Sequence, residues 1–130
     1  MIIVNTSVWV DLFRGATTPQ TQYLRVRLGE EPFGIGDLIL AEILQGCRSD
    51  TEARVIERRL RVFPCYRFDG QQIAVRAARH YRHLRSLGIT VRRIIDVFIA
   101  TYCIERSFFL LHNDRDFDPF EKHLGLRVGH

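Results

Sequence analysis

Five short apolar runs are the feature that most restricts the fold: IIV at 2–4, PFGIG at 32–36, CYRF at 65–68, FFLL at 108–111 and LRVG at 126–129. Segments of helical period separate them, and no Asn-Gly hairpin turn joins any two. Strands that meet only through helical crossovers pair in parallel, so the pattern predicts a parallel sheet sandwiched by helices. With 130 residues, of which 46% are hydrophobic and 26% charged, the chain suits one compact domain with a sizeable core.

The segments between the strands predict helices. Ser7 to Arg14 places Val8, Trp9 and Leu12 inward and stops at Gly15; Pro19 to Leu28 interleaves Gln20, Arg25 and Arg27 with Tyr23, Leu24 and Leu28. DLILAEILQG, capped by Asp37, has hardly any polar face and is expected to be buried. DTEARVIERRLRVF takes Asp50 or Thr51 as cap, with Val55, Ile56 and Leu60 inward and Arg54, Arg58 and Arg61 outward. Gln71 to Leu87 is a long amphipathic helix, residues 94–105 (IIDVFIATYCIE) a second buried one, HNDRDFD a polar loop, and Pro119 to His123 a helical turn.

Four acids break the burial pattern. Glu42 is alone in the first apolar helix and Asp96 stands near the start of the second. An ion buried without compensation costs several kcal/mol, on the order of the desolvation penalty left after relaxation, so each needs a partner. Asp114 and Asp116 follow FFLL as Asn5 follows IIV, at the carboxyl ends of strands where open α/β sheets form ligand crevices. An all-oxygen cluster of this kind suits Mg²⁺ or Mn²⁺ rather than zinc. Structural alternatives stand beside each assignment. Asp96, Asp114 and Asp116 could cap helical turns, and Glu42 could pair with a buried arginine.

Other residues exclude classes. Of the nineteen basic residues eighteen are arginines, which leans toward a phosphate-bearing partner, although a GC-rich genome would produce the same bias. The single lysine, Lys122, lies in the last tenth of the chain and none stands around FFLLHND, which argues against a phospho-acceptor receiver domain. Cys47, Cys65 and Cys103 have no CxxC spacing and read as buried, reduced thiols of a cytoplasmic protein. No apolar run approaches the ~18 residues of a membrane span, and no basic region precedes the first apolar stretch. His80 and His83 lack a third ligand at helical spacing and read as a solvated face; His123 and His130 carry no signal, and His112 is a candidate acid or base.

Taken together, IIVNTSVWVDLFRG, LAEILQG, TVRRIIDVFIA and LLHNDRDFDPF, in this order, resemble the PIN domain ribonucleases, specifically the VapC toxins of type II toxin–antitoxin pairs. The resemblance covers essentially all of residues 1–130 and implies a single PIN domain, a three-layer α/β/α sandwich with a central parallel sheet. It implies Mg²⁺-dependent hydrolysis of RNA, structured RNA such as tRNA foremost, and carries the acidic roles to Glu42, Asp96, Asp114 and Asp116. Asp116 is the least secure of the four, since Arg115 beside it could neutralise it. Thr6 and Ser7 would hydrogen-bond the phosphate or a ligand water, or N-cap the following helix; Arg92 and Arg93 would reach substrate phosphate, or form a solvated helix start. The implied partners are a VapB-like antitoxin and a second copy, giving a homodimer and, with antitoxin, a heterotetramer or larger. Tyr23, Leu24 and Leu28 are a candidate partner groove, with core packing an equally good account. At its first acidic position the family has Asp where this chain has Asn5, so a weakened nuclease or a non-catalytic RNA- or antitoxin-binding module is expected. Loss in a lineage and deliberate exchange to silence a growth-toxic protein both fit; the intact remaining motifs favour exchange.

Overall fold

The computed structural model describes residues 1–129; His130 lies outside the described residues. Five strands, β1 (Ile2–Val4), β2 (Phe33–Gly36), β3 (Cys65–Tyr66), β4 (Phe109–Leu111) and β5 (Arg127–Val128), form one sheet in the order β3-β2-β1-β4-β5. Every pairing is parallel, with Ile3 opposite Gly34 on one side and Leu110 on the other. The connecting helices are α1 (Thr6–Phe13), α2 (Pro19–Arg27), α3 (Asp37–Gln45), α4 (Asp50–Leu60), α5 (Gln71–Ser86), α6 (Ile94–Arg106) and α7 (Asp118–Leu124). A 3-10 turn, Arg115–Phe117, follows β4.

The fully buried β1 is central because Ile3 and Val4 must be covered on both faces. Its neighbours place the site. The chain leaves β1 toward β2 and β3, then returns on the other side as β4, so the order reverses between β1 and β4. Crevices open at such switch points. Asn5 and the loop after Leu111 flank this one, and the Asn5 N–H donates to the Leu111 carbonyl at 2.9 Å.

Several local expectations are corrected. Gly36, not Asp37, is the N-cap of α3, and the Asp37 carboxylate accepts from the Phe68 N–H at 2.9 Å, tying α3 to the segment after β3. Gly36 is required there because a Cβ would fall 2.4 Å from the Phe68 ring. Ser49 caps α4 in place of Asp50 or Thr51, accepting from the Glu52 N–H. Val55 faces solvent, since α4 is covered only along the line of Ile56 and Leu60. α3 is half-covered rather than buried: Ile39 and Ile43 enter the core while Ala41 is exposed and Leu40 and Leu44 stay half-exposed. Ile94, at the start of the otherwise well-buried α6, is 72% exposed. Of the three free thiols only Cys103 is buried; Cys47 is half-buried and Cys65 exposed. Leu24 belongs to the core, which leaves exposed Leu28 and half-buried Tyr23 outside it.

Candidate active site

Asn5 occupies the N-cap position of α1, yet its side chain makes no capping bond. The side chain is 4% exposed and its Oδ1 has no hydrogen-bond partner. Leaving such an acceptor dry costs about 1–3 kcal/mol, so an orphan here indicates a missing partner rather than good packing. It borders a cavity of about 210 Å³ whose wall includes Thr6, Glu42, Arg93, Asp96 and Asp114.

Asp96 is the most buried acid, 1% exposed in the first turn of α6. Arg93, not Asp96, holds the N-cap position, so the carboxylate is not spent on capping. Burial raises its pKa to about 6, against the lowering effect of Arg93, while Asp114 and Glu42 push it further up. Asp114 does cap the 3-10 turn, accepting from the Asp116 N–H at 2.9 Å, and its own N–H donates to His112 Nδ1 at 3.1 Å. The role of turn cap thus leaves Asp114 Oδ2 facing Arg93. One ligand oxygen each from Asp96, Asp114 and Asp116 lies within 4.8 Å of the others, close enough to share a cation. With the orphaned Asn5 oxygen beside them, these residues fit a hard divalent ion.

Glu42 lines the same cavity from α3 but is outside that three-acid group. Among the described residues its hydrogen-bond partner is not an arginine but Thr6, whose Oγ1 donates to its Oε1 at 2.6 Å. Thr6 therefore orients a carboxylate instead of capping α1. Ser7 also makes no cap: its hydroxyl donates to Asn113 Oδ1 at 2.7 Å, and Asn113 Nδ2 donates to Asp11 at 3.1 Å. Asp11 and Asn113 were not singled out in the sequence. The available signal was spacing, since Ser7 and Asp11 are one helical turn apart and share a face.

The two arginines before α6 turn toward the acids. Arg92 Nη2 meets Asp116 at 3.1 Å, the part expected of Arg115. Arg93 bridges Asp96 Oδ2, through Nε at 3.1 Å, and Asp114 Oδ2, through Nη2 at 3.3 Å. His112 is 8% exposed against Phe117; burial lowers its pKa, and Nδ1 is committed to the Asp114 N–H. It holds the Asp114 loop. His80 contacts Thr101 Oγ1 at 3.0 Å on the far side of α6, and the three-acid group is the one cluster of potential metal ligands among the described residues.

A family model described as the PIN domain matches residues 2–122. The chain belongs to the PIN-domain family. Its curated relatives include VapC ribonuclease Mb1587 of Mycobacterium bovis and Ribonuclease VapC11 of Mycobacterium tuberculosis; each is 35% identical over 130 residues, covering 98% of this chain and 97% of the relative. Among solved structures, VapBC2 from Rickettsia felis, bound to a DNA fragment from its promoter, superposes with a TM-score of 0.79 at 16% identity. That match covers 99% of this chain and 98% of the other. FitAcB from Neisseria gonorrhoeae gives 0.77 at 18% identity, over 100% and 97%. These two likenesses speak for the PIN fold, and the curated relatives place the chain on the VapC branch of the family.

Proposed function

We propose that this chain is a VapC-type endoribonuclease toxin that hydrolyses RNA phosphodiester bonds with Mg²⁺, or Mn²⁺ as substitute, and that Asn5 attenuates it. The observation that carries this reading is the buried, unpartnered Asn5 Oδ1 beside Asp96 and Asp114. Asp96 and Asp114 are assigned as the principal ligands, Asp116 as a further one, and Asn5 Oδ1 as a neutral donor in the family's carboxylate position. When bound, the cation supplies Lewis-acid activation of the phosphate and of a water. Glu42, fixed by Thr6 at one oxygen, offers the other to a ligand water. Water adds to phosphorus, the P–O bond to the leaving nucleoside breaks, and the departing oxygen takes up a proton. Ser7, Arg92 and Arg93 are assigned to the RNA backbone, with guanidiniums suited to paired phosphate oxygens.

An amide supplies no charge to a cation, so affinity falls relative to a carboxylate at the same place. RNA cleavage by the chain and by its Asn5→Asp variant, with added Mg²⁺ or Mn²⁺ and with EDTA, tests this. The variant is expected to cut RNA strongly and the chain weakly; equal activity would remove position 5 from the mechanism. Within RNA, the reading favours structured substrates, tRNA foremost, and mapping cleavage sites on total RNA with the carboxylate restored identifies them. Solved structures of this fold include a toxin–antitoxin complex from Klebsiella pneumoniae and VapBC-5 from Mycobacterium tuberculosis, a member of the VapBC family of toxin–antitoxin systems, which supports a VapB-like antitoxin as this chain's partner, with a toxin homodimer inside a heterotetramer or larger complex, acting in the cytoplasm. Asn5 also supports a second reading, a PIN-fold module that binds RNA or antitoxin without cutting; an inactive Asn5→Asp variant that still binds RNA would favour it.

A further inference from the structure

Arg93 sits where two ligands converge. Its side chain is 54% exposed, whereas the Asp96 carboxylate beneath it is 2% exposed. From the solvent side it contacts both oxygens of Asp96, at 3.1 and 3.4 Å, and Asp114 Oδ2 at 3.3 Å. A cation shared by Asp96 and Asp114 would draw on the same two carboxylates. A guanidinium and a divalent cation repel each other and compete for the same lone pairs, so both cannot hold that position. The remaining Asp114 oxygen is already taken by the Asp116 N–H, which leaves the pair little spare capacity.

We propose that Arg93 is an exchangeable counter-ion of the acidic site: it neutralises Asp96 and Asp114 in the metal-free protein, is displaced when a divalent cation enters, and then engages the scissile phosphate. The inference rests on the metal-nuclease reading above and adds an order of events to it. Three features support the exchange. The Asp96 carboxylate is 2% exposed and Arg93 is the basic side chain in contact with it, so in the absence of metal Arg93 supplies the counter-charge that a buried ion needs. Arg93 is anchored by its backbone at the N-cap of α6, but its exposed guanidinium can move without unpacking the core. The cavity that Arg93 borders also contains the orphaned Asn5 oxygen, an acceptor that the guanidinium leaves unsatisfied. Arg92 differs in place: its contact is with Asp116 at the rim, where its side chain is 78% exposed.

The test separates metal binding from catalysis. Mn²⁺ affinity of the intact chain and of Arg93→Gln and Arg93→Lys is measured by calorimetry at pH 8, without RNA, so that Asp96 is ionised throughout. Removing a partly exposed ion pair is expected to tighten Mn²⁺ about fivefold in Arg93→Gln, and less in Arg93→Lys, which keeps the charge but loses the fork. In the intact chain, Mg²⁺ titration is expected to move the Arg93 Nε–H NMR signal from a protected to a solvent-exchanging state. With Mn²⁺ present, Arg93→Gln is expected to bind an RNA hairpin more weakly. Equal or weaker Mn²⁺ binding in Arg93→Gln, or an Arg93 signal unmoved by Mg²⁺, would overturn the exchange. If Mn²⁺ exchanges with Arg93 but no variant cleaves RNA, the ribonuclease reading fails while the counter-ion role stands.

Discussion

The two ends of the sheet treat polar groups in opposite ways. At the amino end, in the recess lined by Met1, Pro32 and Phe109, every exception is paired: Tyr23 donates to Glu31 Oε2 at 2.8 Å, and Arg27 donates to Glu31 Oε1 at 2.9 Å. The Arg27 guanidinium also lies 4.8 Å from the Tyr23 ring centre. At the carboxyl end, Asn5 Oδ1 has no partner and burial raises the Asp96 pKa to about 6 despite an adjacent arginine. A region selected for stability alone would resemble the first end. The frustration at the second is concentrated where a cation and a phosphate would relieve it, as expected when stability is given up for a binding site.

Restoring the missing acid should change that contrast most. Asn5→Asp is expected to raise Mg²⁺-dependent RNA cleavage by about 100-fold, the scale of gaining a ligand in a metal site, and to lower apo stability by about 1–3 kcal/mol. Both are read by cleavage of labelled RNA and by thermal melting with and without EDTA; a variant that is neither more active nor less stable without metal would break the comparison.

Asp96→Asn is expected to abolish cleavage yet stabilise the apo protein. The folded carboxyl titrates at about 6 against an ordinary 3.8, so the folded state holds this proton more tightly than the unfolded one. The stability this confers is present below pH ~4, is lost as pH rises through 4 to 6, and is absent above, a difference of about 3 kcal/mol. The melting point of the variant should therefore exceed that of the parent at pH 8 and converge with it near pH 4. A constant gap would assign the effect to packing.

Thr6→Val should lower cleavage about tenfold, the lower end for losing a residue that orients a site carboxylate, with a stability change of about 1 kcal/mol. At the opposite end Glu31→Gln sharpens the contrast. It should cost about 1 kcal/mol in urea unfolding and leave cleavage by the Asn5→Asp background unchanged. A fall in cleavage there would mean that the two ends are coupled.

Much of this was legible before the structure because its signals are local or periodic. Short β-branched and aromatic runs between helical segments specified a parallel sheet, and Glu42 and Asp96 stood out because acids are rare in apolar helices. Capping was less legible. Gly36 and Ser49 won over Asp37 and Asp50 because Asp37 is drawn across to the Phe68 N–H and Ser49 reaches the Glu52 N–H. Burial of whole helices was overestimated for the same kind of reason. An apolar residue in a helix predicts that something can cover it, whereas Val55 and Ala41 lie on solvent-facing sides of their helices.

The sequence by itself determined the alternation of strands and helices, the four acids and the amide at the first acidic position, since each is a property of residue type and order. Only tertiary structure decided what those residues face. Order reversal between β1 and β4 brought Asn5 beside Asp114, though more than a hundred residues separate them. Arg92 and Arg93 turned inward to the acids because unpaired buried charge is costlier than solvated charge, a balance fixed by the arrangement of the whole domain.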